Sequence, residues 1–245
     1  MLWFDVIKKK VFELNQSGMI CSGEQTIFLY SLDHNHKIAI DSIIHTLKEN
    51  KNGILKLSPL GLSFSNSTTD TPFYFYYQSE NDWNYEEKIG YKNHVHIIGG
   101  GHCSLALSKI MSMLDFRIHI YDNRAELNTF NQNDYALDKV LLKDYTELKN
   151  IIPSNNDYLI VMTMGYRSDD IVVRALMGKK FKYFGILGSD KKIEKMFSDY
   201  KREGISEDVL NSITAPVGVP INSQTPEEIA ISIAAAVIKV KNTLL

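Results

Sequence analysis

Hydrophobic and polar residues follow two different rhythms along the chain, and the rhythm changes near residue 90. From His94 onwards, short apolar runs alternate with amphipathic stretches, and the runs are HVHII, FRIHIY, KVLL, DYLIVM and KYFGIL. Strands separated by helices at this spacing predict right-handed crossovers and a parallel, doubly wound sheet. We therefore predict an α/β fold with a Rossmann-like domain over residues 91–245.

The stretches between these strands predict helices over 102–114, 144–152, 168–177 and 190–202. A last helix is predicted after Thr225, because Thr225-Pro226-Glu227-Glu228 is typical of a capping box with a proline in the first turn. Its apolar residues recur on one face, which predicts that this helix packs against the domain.

The first 90 residues have a weaker pattern and predict a small α+β domain. Helical spacing of apolar residues predicts a helix over 2–15, and a second helix is predicted over 39–49. Strands are predicted for TIFLY, GILKLS, GLSFS and PFYFYYQ. Residues 79–93 are polar and unpatterned, so we interpret them as the linker between the two domains.

Composition narrows the class of protein. The 245 residues carry a net charge of −2, which gives no basic footprint for nucleic acid. Cys21 and Cys103 are too few for a disulfide framework or a zinc site, and His34 and His36 are interpreted as surface residues. The longest apolar stretches are too short to span a membrane, and no signal peptide is recognisable. We expect a reduced, cytoplasmic protein.

The candidate site begins at Gly99-Gly100-Gly101, between a predicted strand and a predicted helix. Glycines there permit a tight turn and let backbone N–H groups approach a phosphate. Asp122 ends the next strand, where dinucleotide-binding domains hold an acidic residue for a ribose hydroxyl. The same pattern also fits a Rossmann turn that holds no cofactor.

His102 and Cys103 follow the glycines at the helix N-terminus. The helix dipole there is expected to lower the pKa of a thiol. We nevertheless expect Cys103 to pack as a small apolar side chain. For His102, contact with an anionic ligand and a purely structural role both remain open.

Further polar groups follow three other strands. They are Asp122 and Arg124, the loop 163–169 with Asp169, and the loop 185–192 with Gly188, Ser189 and Lys192. Each loop alone is equally typical of a surface salt bridge or a helix cap. Because the carboxyl ends of parallel strands meet at one edge, their convergence predicts a pocket.

Five blocks in this order resemble the XdhC/CoxI family, the accessory factors of xanthine dehydrogenase and related molybdenum hydroxylases. The blocks are IIGGGHCSLAL, YDNRAE, VMTMGYRSDD, FGILGSDKK and APVGVPINSQTPEEIAISIAAAV. The chain departs from the family pattern at Ser104, Met164, Tyr166, Asp190 and Ala236. The N-terminal part lacks the family's usual glycine-rich segments.

The resemblance implies a protein that binds molybdenum cofactor, aids its sulfuration and delivers it to an apo-hydroxylase. It implies a xanthine dehydrogenase-like client, a cysteine desulfurase as a further partner, and a homodimer. No catalytic residue and no metal ligand is assigned. The family's cofactor-binding positions are matched here by Gly99, Gly101, His102, Asp122, Arg124, Asp169, Gly188, Ser189 and Lys192, and Gly100 joins them from the glycine motif itself.

Two alternatives stay open beside this function. The first is an NAD(P)-dependent oxidoreductase that uses the same glycine loop and Asp122. The second is a nucleotide-sensing domain in which a bound nucleotide sets the assembly state.

Overall fold

The computed structural model describes residues 3–7, 25–49, 51–67, 71, 73–90, 93–153 and 157–243. Its contacts divide the chain into two compact units, residues 1–90 and 91–245. Within the described part of the chain, no helix is both long and apolar enough to cross a lipid bilayer.

The first unit consists mainly of antiparallel strands. Its elements are β1 (Trp3–Ile7), β2 (Gln25–Leu29), α1 (Lys37–Lys48), β3 (Gly53–Ser58), β4 (Gly61–Ser65), β5 (Phe73–Ser79) and β6 (Asp82–Ile89). β1 pairs with β2, and the other strands form an antiparallel sheet in the order β4-β3-β6-β5.

Two predictions for this unit are wrong. The predicted helix over 2–15 is a strand at Trp3–Ile7, since these residues pair with β2, and residues 8–15 lie outside the described residues. The predicted linker contains β6, which pairs with β5 through residues 82–87 and with β3 through residues 85–89. The polar residues of this segment were interpreted as a linker, but they are compatible with a half-buried strand. Glu86 of β6, for example, forms a cross-strand ion pair with Lys56 of β3.

The second unit begins with the strand that leads to the glycine loop. Its elements are β7 (Asn93–Ile98), α2 (His102–Ser112), β8 (Phe116–Asp122), α3 (Asn128–Asn131), β9 (Asp138–Leu141), α4 (Leu148–Ile151), β10 (Tyr158–Val161), α5 (Tyr166–Leu176), β11 (Tyr183–Ile186), α6 (Asp190–Arg202), α7 (Glu207–Asn211) and α8 (Pro226–Thr243). All pairs of the five-stranded sheet are parallel, in the order β11-β10-β7-β8-β9. The predicted Rossmann-like fold is confirmed.

An apolar core covers each face of this sheet. On one face Leu107 of α2 and Ile233 of α8 pack beside Ile97. On the other face Val172 of α5 and Met196 of α6 pack beside Leu159. The strands β10 and β11 are buried along their whole length, as expected for a parallel sheet covered on both faces.

The segment after α7 extends the sheet at the β11 edge. Thr214 lies beside Gly185 in a parallel bridge, and the Val217 N–H donates to the Ile186 carbonyl over 2.9 Å. The predicted capping box of α8 is present, since the Glu228 carboxylate accepts from the Thr225 N–H over 3.1 Å. α8 packs against α2, so this last helix supports the helix that follows the glycine loop.

Candidate functional site

Four loops lie at the carboxyl edge of the parallel sheet. They are residues 99–101 after β7, 123–127 after β8, 162–165 after β10 and 187–189 after β11. β7 and β10 are neighbours, but the helices that follow them, α2 and α5, pack on opposite faces of the sheet. A reversal of this kind is the topological switch point at which open α/β sheets bind ligands.

The three glycines of the first loop differ in how much room each position leaves for a side chain. Gly99 has a φ of +108°, and a Cβ there would lie 2.3 Å from the Met162 carbonyl oxygen. A Cβ on Gly100 would lie 2.8 Å from the Phe130 side chain. A Cβ on Gly101 would meet no atom within 4 Å. Gly99 and Gly100 are therefore required by packing, whereas Gly101 borders open space.

The backbone donors of this loop are largely used within the protein. The Gly99 N–H donates to the Tyr121 carbonyl over 2.8 Å, and the Gly100 N–H donates to Asp122 Oδ2 over 2.6 Å. Among the described residues, the N–H of Gly101 has no such acceptor. Of the glycine run, only the Gly101 N–H is therefore open to a ligand, together with the backbone N–H groups in the first turn of α2.

Asp122 and Arg124 form a closed ion pair beside the glycine loop. Arg124 Nε donates to Asp122 Oδ1 over 2.8 Å, and Arg124 Nη2 donates to Oδ2 over 2.7 Å. The Arg124 N–H also donates to Oδ1 over 2.9 Å. The Asp122 side chain is 0% exposed, whereas that of Arg124 is 33% exposed. The pair therefore presents its cation, not its carboxylate, to solvent.

The electrostatics of the pair keep both groups charged. Burial would raise the pKa of the Asp122 carboxyl, but the hydrogen bonds from Arg124 and from the Gly100 N–H outweigh burial and hold that pKa below its ordinary value. The hydrogen bond to Asp122 likewise raises the pKa of the Arg124 guanidinium. A buried charge is stable here because it is paired and fully hydrogen-bonded.

Asp169 ties together the loops after β10 and β11. Its buried carboxylate accepts from the Thr163 N–H over 3.0 Å and from the Thr163 hydroxyl over 2.6 Å. The second oxygen accepts from Lys192, whose ammonium also donates to the Leu187 carbonyl over 2.8 Å. Gly188 leaves room for this contact, since a Cβ there would lie 3.0 Å from Lys192 Cδ.

Several polar side chains at these loops are exposed. Ser189 precedes α6, but its hydroxyl makes no capping bond to the helix. His102 is the first residue of α2, while Arg167 and Lys191 lie in the first turns of α5 and α6, and all three are exposed. Within the described part of the chain, the side chains of Arg167 and Lys191 have no ion-pair partner.

Cys103 behaves differently from the dipole-based expectation. Burial raises the pKa of its thiol, and the negative charge of Glu227 on α8 raises it further. The expected lowering is wrong because the side chain packs against the apolar core. Ser104, one residue on, is buried, and its hydroxyl has no hydrogen-bond partner among the described residues.

Two residues that shape the site were not predicted from sequence patterns. Phe130 covers Gly100. Tyr145 is buried near the carboxylates of Asp122 and Asp169, and burial and the Asp122 charge raise its pKa to about 12. Asp144 and Glu147 form a capping box at the helical turn that contains Tyr145, but no spacing rule connects Tyr145 to Asp122.

The arrangement is suited to binding an anion rather than to acid–base chemistry. Asp122 and Asp169 are ion-paired with Arg124 and Lys192, so both carboxylates are occupied by the protein's own cations. Among the described residues, no group of three or more His, Cys, Asp or Glu side chains could hold a metal ion. The candidate site is therefore a set of loops at the Rossmann switch point, bordered by cations and by helix N-termini.

Comparison with known proteins agrees with the Rossmann fold. The model of the XdhC Rossmann domain matches residues 95–237, which is more than half of the chain. The chain belongs to the XdhC Rossmann-domain family.

Curated relatives share parts of the chain. It is 29% identical over 149 residues to an uncharacterized protein, YqeB, of Escherichia coli, covering 60% of this chain and 27% of that protein. It is 28% identical over 86 residues to a probable xanthine dehydrogenase subunit of Bacillus subtilis, covering 35% of this chain and 24% of that protein. The chain thus spans about a quarter of the length of these relatives.

A crystal structure described as a xanthine dehydrogenase from Bacillus halodurans has a similar fold. The TM-score is 0.68 at 20% identity, and the match covers 91% of this chain and 69% of the other. At this identity the likeness shows the fold alone.

Proposed function

We propose that this protein binds molybdenum cofactor and assists its maturation or its insertion into a xanthine dehydrogenase-like hydroxylase. Family membership and the xanthine dehydrogenase name of one relative support this role. The observation that carries the proposal is the pair of cations at the switch-point loops, Arg124 and Lys192, each held by a buried carboxylate.

The donor set suits the phosphate end of a pterin cofactor. The Gly101 N–H and the first turn of α2 offer backbone donors beside open space. The Ser189 hydroxyl and the partly exposed Arg124 guanidinium offer side-chain donors. The cofactor is cargo in this account, so the protein has to hold an anionic molecule and release it intact.

The same geometry supports binding without catalysis. The carboxylates at this edge serve the protein's own cations, and the thiol of Cys103 has a raised pKa and a packed side chain. A group of this kind is a weak nucleophile at neutral pH. We therefore assign no catalytic residue, and the redox chemistry belongs to the client enzyme.

Cofactor retention tests the proposal directly. Purified protein is mixed anaerobically with molybdenum cofactor and passed through a desalting column, and molybdenum and pterin are measured in the protein fraction. We expect both to co-elute in equal amounts with the wild type. Absence of either from the protein fraction would contradict the proposal.

A pair of variants locates the binding site. Arg167→Ala combined with Lys191→Met removes two exposed charges from the first turns of α5 and α6, and we expect it to reduce retention. Lys239→Met removes an exposed charge near the far end of α8 and is the matched control. Equal retention by the two variants would place the cofactor elsewhere.

A further inference from the structure

In this Rossmann domain, the acidic residue at the position that binds a ribose in dinucleotide-binding domains is already hydrogen-bonded to other residues of the protein. In dinucleotide-binding domains the acidic residue that ends the second strand accepts hydrogen bonds from the ribose hydroxyls. Asp122 holds that position as the last residue of β8. Its oxygens already accept from the Gly100 N–H, the Arg124 N–H, Arg124 Nε and Arg124 Nη2.

A carboxylate offers about four acceptor positions. The four hydrogen bonds to Asp122, each between 2.6 and 2.9 Å, fill them. A ribose diol could bind only by displacing Arg124 from a carboxylate that is 0% exposed. Separating a buried ion pair is strongly unfavourable, because it leaves an uncompensated charge inside the protein.

Arg124 also changes which ligand groups can bind beside Asp122. Its Nε and Nη2 face Asp122, and among the described residues Nη1 has no hydrogen-bond acceptor. With 33% of the side chain exposed, the remaining N–H groups are available to a ligand. A guanidinium recognises anionic oxygens and has no acceptor for a hydroxyl proton.

We infer that Arg124 is a specificity-determining residue that closes this Rossmann pocket to nicotinamide adenine dinucleotide by sequestering Asp122. The nicotinamide cofactor that the fold suggests does not fit the residues present, and the corner selects an anionic group over a ribose diol. This inference is independent of the proposed function, since it concerns what the pocket rejects. Failure to retain molybdenum cofactor would leave it standing.

Titration of the 245-residue chain with NADH, followed by nicotinamide fluorescence, tests the inference. For the wild type we expect a dissociation constant weaker than about 1 mM. Arg124→Ala frees the carboxylate, and we expect it to bind NADH at least about tenfold more tightly through charge-assisted hydrogen bonds to the ribose. NADPH is expected to gain nothing, because the freed carboxylate repels its 2′-phosphate.

Two controls separate the freed carboxylate from a simple change of charge. Arg167→Ala removes an exposed arginine without releasing a carboxylate and should give no gain. Asp122→Asn in the Arg124→Ala background should cancel the gain. Circular dichroism checks that each variant is folded, and Arg124→Lys, which cannot form the two-point contact, is the second variant if Arg124→Ala does not fold.

Three results would overturn the inference. The first is micromolar binding of NADH by the wild type. The second is a folded Arg124→Ala or Arg124→Lys variant with unchanged NADH affinity. The third is an equal gain in Arg167→Ala.

Discussion

Lys192 of α6 donates a hydrogen bond to the buried carboxylate of Asp169 in the first turn of α5. The two helices follow neighbouring strands, so this pair fixes the spacing of two walls of the candidate pocket. Thr163 completes the contact with its N–H and its hydroxyl. The Lys192–Asp169 pair therefore both stabilises the fold and positions two loops of the candidate site.

Replacement of Lys192 tests the structural part of this role. Lys192→Met leaves the Asp169 carboxylate buried without its cation, and we expect it to lower the free energy of unfolding by about 3 kcal/mol. Lys191→Met, at an exposed neighbour, is expected to stay within about 0.5 kcal/mol of the wild type. Urea unfolding measures both.

A second substitution tests whether the broken ion pair causes the loss of stability in Lys192→Met. Asp169→Asn removes the charge but can still accept from Thr163, so the Lys192→Met/Asp169→Asn double variant should regain part of the stability. A double variant as unstable as the sum of the two single variants would show that the ion pair is not the cause.

Alanine at two glycines separates folding from ligand access. Gly99→Ala combines a positive φ with a clash against Met162, and we expect a loss of about 3 kcal/mol or more in thermal unfolding. Gly101→Ala has a negative φ and open space, so its stability should change by about 1 kcal/mol or less. If a phosphate approaches there, Gly101→Ala should still weaken cofactor retention. Full retention by Gly101→Ala would exclude that approach.

The regular half of the fold could be predicted because local signals agree there. The strand–helix rhythm after His94 and the capping box at Thr225 each reflect short-range chemistry, and the family resemblance added the order of the loops. The Asp122–Arg124 pair was visible as two residues, but their mutual saturation depends on side-chain packing. Trp3–Ile7 was mispredicted because strand pairing with a distant segment overrides helical spacing.

Thiol reactivity tests the environment of Cys103. Because burial and Glu227 raise the pKa of the thiol, we expect slower alkylation by iodoacetamide at pH 8 than for an unhindered thiol. A Cys21→Ser background leaves Cys103 as the reacting group. Glu227→Gln removes a negative charge, lowers that pKa and should speed the reaction, whereas Glu194→Gln on α6 should not. Alkylation as fast as that of free cysteine would contradict the assignment.

Three stacked imidazoles predict a pH dependence of stability. His119 stacks on His96 with ring centroids 4.7 Å apart and hydrogen-bonds to His94 over 3.0 Å. Burial and the neighbouring His96 lower the pKa of His119 to about 4, and they outweigh the Asp138 carboxylate, which lies 2.9 Å from His119 Nδ1 and raises that pKa. The folded state therefore disfavours the proton, so this contribution to stability is complete above the unfolded pKa of about 6.5 and is lost as the pH falls towards 4.

Urea unfolding between pH 7 and pH 4 measures this effect. The lowered pKa of His119 corresponds to a loss of about 3 kcal/mol across the window. His119→Phe keeps a stacking ring without a titrating group and should flatten the slope, whereas His102→Phe, at an exposed site, should not. Identical slopes for the wild type and His119→Phe would show that His119 is not responsible.

Transfer of cofactor tests the central claim most directly. Protein loaded anaerobically with molybdenum cofactor is mixed with an apo form of a xanthine dehydrogenase, and the recovery of xanthine oxidation is compared with that given by free cofactor at the same concentration. We predict that the loaded protein restores more activity and loses its molybdenum to the enzyme as it does so. Recovery no greater than that with free cofactor, with molybdenum remaining on the loaded protein, would contradict the accessory role.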